Sequence, residues 1–528
     1  MASQSITAAL ENRSELGPRV VFAVAAISFV LQMATAARYG IFRDELYYLD
    51  CARHLAWGYV DQPPLIALLA WLERHVGGDS LYSIRFLPAL AGGATVWLAG
   101  RLSRFLGADT FGQTIAALAV LVSSGFLMMF HLLTMNAFEP LFWTGAAYLV
   151  VRIIQTGNQR LWIWFGLLSG VGILNKWSML FFGCGIFIGI LLTRERRALA
   201  QRWIWLGFAI AMLIWLPNVI WNIQHHWPFF ELMANVRSSG RDVTRGPISF
   251  LIDQAFSMNI LSAPLWIAGA IWFFFGRGQN ASGENSSSEH GRYRVLGWTG
   301  LFLFVFFIVA SGKNYYLFPV YPMLFAAGGA AFSHAASRFA RVARPAYAVA
   351  LFLAGCFFLP FALPVLSPAG FIHYQQAVHL APSQFEHQNN GPLNQQIFAD
   401  MFGWDDMVRE IARAYWSLPA DARAKTGIAC SNFGEAGAVD YFGPKYGLPK
   451  AVSGHQTYWF WGPGDYTGES LLIIGDNSAR AHQLCENFDD VGHVFNEYSR
   501  EDEHFDIFWC HPLRGSLQQL WPQAKHFN

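Results

Sequence analysis

Apolar residues in this chain fall into long runs broken by short charged punctuation. The runs lie near 20–38, 83–100, 112–129, 138–154, 161–175, 177–193, 203–221, 258–275, 295–311, 317–335 and 345–365. A helix of about 20 apolar residues crosses the hydrocarbon core of a bilayer. The pattern therefore predicts an α-helical polytopic membrane protein with about eleven spans. After 366 the pattern changes. Apolar stretches shorten to strand length at 427–430, 471–474 and 506–510, and helix-like segments alternate with them around 404–416, 434–446 and 478–488. That alternation predicts a small α/β domain. The expected domains are a transmembrane body, 1–365, and an α/β domain, 366–528. There is no internal repeat.

Basic residues orient the spans. Arg101 and Arg104 follow the second run, and Arg152 and Arg160 flank the turn after the fourth. Arg194, Arg196, Arg197 and Arg202 follow the sixth. Arg277, Arg292 and Arg294 follow the eighth, and Arg338, Arg341 and Arg344 the tenth. With the amino terminus inside, all five clusters become cytoplasmic. The loops 39–82, 130–137 and 222–257, the turns at Lys176 and Lys313, and the α/β domain then face outward. The segment 277–293 reads as an unstructured cytoplasmic linker, where the Asn280 sequon would escape glycosylation. The first run follows Arg13 and Arg19 and ends in Ala34-Thr35-Ala36, a small-residue pattern resembling a cleavage site; its length and the spans that follow favour an uncleaved anchor.

Composition sharpens this picture. Only 13% of residues are charged, against about 25% in soluble chains. The net charge of +1 offers no case for nucleic-acid binding. The 21 Trp and 18 Tyr suit many membrane–water boundaries. The six cysteines show no metal-ligand spacing. Cys184 and Cys356 lie in apolar runs. Cys51, Cys430, Cys485 and Cys510 fall outside, and a disulfide among the last three is open.

The chemistry concentrates just after the first span. Asp44, Glu45 and Asp61 are acids beside a bilayer, where desolvation is costly and a carboxylate calls for a reason. Asp44 suits either the N-cap of a short helix to about 57 or a general base with a raised pKa. Asp61 precedes Pro63 and suits the cap of an interfacial helix at about 63–76 as well as a site role. Lys176 and Lys313 sit at turns where the orientation rule does not explain them, so they suit phosphate contact or interfacial anchoring. His225 and His226 occupy the 222–257 loop, with ligand and structural roles both open. Asn136 and Glu139 are weaker polar candidates. No nucleotide-binding loop, dinucleotide fingerprint or nucleophile elbow is present.

Four motifs carry a family resemblance. They are Arg43-Asp44-Glu45-Leu46-Tyr47-Tyr48, Asp61-Gln62-Pro63-Pro64-Leu65, Gly172-Ile173-Leu174-Asn175-Lys176, and Lys313-Asn314-Tyr315-Tyr316-Leu317-Phe318-Pro319-Val320-Tyr321-Pro322. Over residues 20–335 the chain resembles the membrane glycosyltransferases of family 39, the group of the dolichyl-phosphate-mannose protein mannosyltransferases and the lipid A aminoarabinose transferases. The resemblance implies a type C glycosyltransferase fold with interfacial helices in the first loop. It implies an inverting transfer of a hexosyl or pentosyl group from a polyprenyl-phosphate donor to a lipid, glycan or protein acceptor, in the plasma membrane and on its outer side. It implies no cofactor and no metal. Gln62 stands where the mannosyltransferases usually carry His, which weakens the transfer of their acceptor preference.

In residue terms, the resemblance makes Asp44 the base, with Glu45 and Asp61 as further catalytic candidates. Arg43, Tyr47, Arg85, Lys176, His225, Lys313 and Tyr316 become candidate substrate-binding residues, the cations among them stabilising charge on the leaving phosphate. The α/β domain would cover the site or select the acceptor. Its segment 458–463, Tyr-Trp-Phe-Trp-Gly-Pro, suits core packing and sugar stacking alike. A transporter or an inactive scaffold of the same fold are the alternatives; against the former, the chain shows none of the internal repeats usual for transporters.

Overall fold

The computed structural model describes residues 2–243, 245–279, 285–334, 340–382, 384 and 386–528. Asn280 and Arg338 lie outside them. The chain forms two compact units. One is Met1–Ala37, Val76–Val219 and Thr244–Val365; the other is Arg38–His75, Ile220–Val243 and Leu366–Asn528. Residues 38–75 thus belong to the same unit as the carboxyl-terminal α/β structure, although sequence reading places them with the spans.

Among the described residues, each apolar run predicted as a span is largely helical. Five helices are long and apolar enough to cross a membrane: Leu16–Thr35, Met135–Thr156, Arg202–Gln224, Asn314–Ser333 and Arg341–Ala362. Two bent pairs, Ser178–Leu191 with Arg194–Ala200 and Pro247–Ser257 with Ile260–Phe275, bring the number to as many as seven among the described residues. Thr110–Leu121, Leu161–Asn175 and Arg294–Val309 are shorter apolar helices. On Arg202–Gln224, Trp205, Leu206, Phe208, Leu213 and Leu216 are exposed, the surface expected of a helix solvated by lipid. The run 112–129 is two helices, Thr110–Leu121 and Ser124–Met129. At the break, the Ser123 hydroxyl donates to the carbonyl of Met258 at 3.0 Å.

Small residues let these helices touch through their backbones. A Cβ at Gly269 would lie 2.0 Å from the Leu324 carbonyl oxygen, and one at Gly328 would lie 2.1 Å from that of Leu265. Only glycine fits such crossings, a common device where lipid offers no hydrophobic drive for helix association. The segment expected to be an unstructured linker instead contributes two strands, β1 (Arg277–Gln279) and β2 (Asn285–His290), paired antiparallel. Backbone pairing alone holds such a ladder, so polar composition does not forbid it.

The second unit is built on a five-stranded sheet. Its strands are β3 (Thr426–Cys430), β4 (Ala451–Ser453), β5 (Ser470–Ile474), β6 (Phe488–Val494) and β7 (Phe505–Cys510). The order is β4-β3-β5-β7-β6, with β3 parallel to both β4 and β5, and β7 antiparallel to β5 and β6. The expected strands at 427–430, 471–474 and 506–510 correspond to β3, β5 and β7. The helix Phe433–Tyr446 connects β3 to β4. A capping box starts it: Asn432 Oδ1 accepts from Gly434 N at 2.8 Å and Glu435 N at 3.1 Å, and Glu435 reaches back to Asn432 N at 3.3 Å. Cys485 and Cys510 form a disulfide, and Cys430 is a buried free thiol.

The first-loop helix, Arg43–Arg53, packs on the Phe433–Tyr446 helix. The contact is close because glycines face it. A Cβ at Gly437 would lie 2.9 Å from Leu46 Cβ, and one at Gly434 2.8 Å from Arg43 Cγ. Behind it, Arg43 N donates to the Asp400 carbonyl at 3.1 Å.

Candidate active site

The first-loop acids diverge in their surroundings. The helix begins at Arg43 with Phe42 as its N-cap, so the capping role considered for Asp44 does not arise; Asp44 lies inside the first turn. Glu45 is fully buried, and its Oε2 accepts from Phe42 N at 2.8 Å. Asp44, half-buried, accepts no hydrogen bond from the described residues. Burial lifts its pKa from 3.8 to about 7; Arg43 opposes the rise, and Asp400, Asp61 and Glu386 add to it.

Asp61 does not cap the following helix, which begins only at Leu65. It accepts instead from the Tyr47 hydroxyl, at 2.9 Å. Tyr47 in turn lies 2.6 Å from Thr457 Oγ1, and Val60 N donates to that same oxygen at 3.1 Å. With the Tyr47 proton committed to Asp61, the Thr457 hydroxyl donates to Tyr47. Burial raises Asp61 to about 6, and the Tyr47 hydrogen bond pulls against it. The Tyr47 ring packs against Phe433 at 4.8 Å, and the Phe433 ring stacks on His455 at 5.0 Å.

Asp50, which sequence reading missed, is a third perturbed carboxyl, raised to about 7 chiefly by burial. Its partners are Arg53 and Tyr458. Tyr458 opens the aromatic segment considered for sugar stacking, and here it is 3% exposed. Asp400 and Thr457 were also missed; they lie hundreds of positions from the residues they serve, and no local spacing points to them.

His225 stacks on Trp221 at 4.0 Å, meets the edge of Phe460 at 5.0 Å, and donates from Nδ1 to the Trp221 carbonyl at 2.8 Å. These contacts anchor the imidazole to its own helix.

The first unit carries its own polar cluster. Lys176 Nζ donates to Asn136 Oδ1 at 2.7 Å and to Glu139 Oε2 at 3.1 Å. The ammonium also lies 4.8 Å from the ring centre of Tyr316 and 5.4 Å from that of Tyr315. Four sequence candidates thus meet at one place. Lys313 is the N-cap residue just before the 3-10 turn Asn314–Val320, which holds both tyrosines. Arg85 is 1% exposed; it donates to the Ala36 carbonyl at 2.7 Å and to His131 Nε2 at 3.3 Å. Because Nε2 accepts, Nδ1 of His131 carries the proton and donates to Gln32 Oε1 at 3.3 Å. Among the described residues no cluster of three or more His, Cys, Asp or Glu side chains could hold a metal ion.

Residues 61–221 match the family model described as dolichyl-phosphate-mannose-protein mannosyltransferase. Over 213 residues the chain is 30% identical to the lipid A galacturonosyltransferase RgtD of Rhizobium johnstonii. That alignment covers 37% of this chain and 43% of RgtD, so the chain spans less than half of that curated relative. Two crystal structures of ArnT from Cupriavidus metallidurans, one bound to undecaprenyl phosphate and one in the apo state, superpose with TM-scores of 0.56 and 0.57. They cover 92% and 93% of this chain and 97% of their own, at 14% identity. In sequence over residues 61–221, and in fold over most of its length, this chain resembles the family-39 membrane glycosyltransferases. The part of the chain that matches the family model contains Asp61, Arg85 and Lys176; the turn Arg43–Tyr47 precedes it.

Proposed function

We propose that the protein transfers a sugar from a polyprenyl-phosphate carrier to an acceptor hydroxyl or amine, with inversion, on the outer side of the plasma membrane. One observation carries this reading: Asp44 is a carboxylate without a hydrogen-bond donor among the described residues, and burial places its pKa at about 7. A general base is most effective when its pKa lies near the working pH. Asp44 takes the proton of the acceptor as its oxygen or nitrogen attacks the anomeric carbon. The bond from that carbon to the phosphate oxygen breaks, and polyprenyl phosphate leaves as an anion. The Tyr47 hydroxyl, backed by Thr457, orients Asp61 toward a hydrogen bond from the substrate.

The bound undecaprenyl phosphate of ArnT and the lipid A activity named for RgtD favour a lipid-linked donor and a glycolipid acceptor. Lys176 and Lys313 are the proposed phosphate ligands; Lys176 would share its ammonium between Glu139 and the phosphate, and Tyr316 would flank it. These relatives do not favour a transporter or a scaffold.

The test is transfer of radiolabelled sugar from polyprenyl-phosphate donors by purified protein in lipid, with membrane extract as acceptor. Asp44→Asn should lower turnover by about two to four orders of magnitude while leaving thermal unfolding close to wild type. Equal turnover by wild type and variant would remove Asp44 as the base.

A further inference from the structure

The sheet of the second unit has one face that its own helices leave partly open. β3 lies between two parallel neighbours, β4 and β5, and such a strand is normally buried on both faces. Side chains alternate across the pleat. Ile428 is fully buried, but the next residue, Ala429, is not. Ala429 borders a cavity of about 400 Å³. Val452 of β4 and Leu471 and Ile473 of β5 complete its floor, and Leu513, Leu517 and the Trp521 ring wall it. Protein interiors hold few voids larger than a water molecule, and an unfilled apolar cavity lowers stability. At the roughly 30 Å³ that a water takes up in the liquid, this one has room for about a dozen heavy atoms.

Its place in the sheet is where α/β folds bind ligands. The chain leaves β3 for β4 on one side, and β5 pairs on the other, so the strand order turns at the carboxyl ends of β3 and β5. Ser431 and Asp476, just past those ends, both line the cavity. The polar groups in the walls are already partnered. Ser431 Oγ donates to Glu435 Oε1 at 3.0 Å, and the Ser431 carbonyl accepts from His526 Nε2 at 2.8 Å. Ser453 Oγ accepts from His455 N at 3.2 Å, and Trp521 Nε1 donates to the Trp459 carbonyl at 3.0 Å. These bonds hold the walls in place and leave hydrocarbon surface inside. The charged groups Asp476, half-buried, and Arg480, exposed, mark the mouth.

We propose that this cavity takes the alkyl chain of a single-chain amphiphile, with the polar head at Asp476 and Arg480. A sugar would need donors and acceptors that the walls have already committed to one another. A lipid with several chains exceeds the volume. The apolar helices of the first unit keep the protein among alkyl chains, so such a ligand is at hand. The site makes the sheet-bearing unit a lipid-binding module in its own right, and it stands whether or not the transferase reading holds.

The experiment photolyses the full chain in lipid nanodiscs with dodecanoic acid carrying a diazirine at its terminal carbon, and maps the label by mass spectrometry. Label is expected within 471–473 and 513–521, and excess laurate should lower it there about tenfold. Label on the apolar helices of the first unit should not respond to that competition. Dodecylphosphocholine as competitor replaces the anionic head by a zwitterion, and the stronger of the two names the head that the mouth prefers. Ala429→Phe fills the cavity from its floor and should remove the displaceable label, with thermal unfolding reporting that the unit is folded. No label at these segments, label that neither alkyl competitor displaces, displacement by galactose instead, or a folded Ala429→Phe protein that keeps the full label overturns the inference. If Ala429→Phe fails to fold, Leu517→Trp closes the cavity from its wall and is read in the same way. No sugar donor or turnover enters this measurement, so it succeeds or fails separately from the transfer assay.

Discussion

Adjacent carboxylates on one helical turn end in different states. Glu45 is spent on the backbone of Phe42, while Asp44 keeps its oxygens free of described donors. The pH profile of transfer separates them. Burial raises Asp44, so the ionised form that the proposed base requires is lost as pH falls through about 7. The rate should climb across that pH on an acid limb, which Asp44→Asn abolishes and Glu45→Gln leaves in place. Glu45→Gln should instead lower stability by about 1 kcal/mol through its cap, read by thermal unfolding. Tyr47→Phe removes the donor that pulls Asp61 down. The Asp61 pKa should then rise, and stability should fall by about 1 kcal/mol; NMR titration of the carboxyl and thermal unfolding check both. Asp44 and Asp61 were legible in the sequence because acids beside an apolar run demand a reason. Their settings were not, since Tyr47 and Thr457 stand 410 positions apart.

At the scale of elements, the apolar runs gave the helices because hydrophobic length is a local property. Breaks within them depend on partners elsewhere, as at Ser123 and Met258. Strands β3, β5 and β7 were legible as apolar runs. β4 has only three residues, and β6 carries Asp489, Asp490 and Gly492 on a partly exposed edge, so neither has the composition of a strand. The first-loop helix was expected, but its seat was not: Gly434 and Gly437 look like ordinary helix-weakening residues until Arg43 and Leu46 are placed against them. Gly437→Leu should force the two helices apart. Its expected signature is faster proteolysis within 38–75 and a loss of transfer, with the apolar helices of the first unit still folded by circular dichroism.

At the scale of the whole molecule, the chain divides by contacts rather than by hydropathy. The unit holding the sheet takes in residues 38–75 and 220–243 from between the apolar helices. Its one disulfide closes a 25-residue separation between Cys485 and Cys510. Cys485→Ser with Cys510→Ser should destabilise that unit by about 2–4 kcal/mol, measured as a lower midpoint of its unfolding transition. The sequence left three cysteines as candidates; Cys430 is excluded because it ends β3, where its thiol is buried away from the pair.

The glycine seat of the first-loop helix bears on how such proteins can be cut and recombined. A chain ended at 365 would keep its apolar helices and lose Phe433, Thr457 and Tyr458 together. Asp44 and Asp61 would then stand in water as ordinary carboxyls. Exchanging the carboxyl-terminal third between relatives would exchange the surroundings that set the acidity of Asp44 and Asp61 along with it, so the two stretches have to be inherited as one piece.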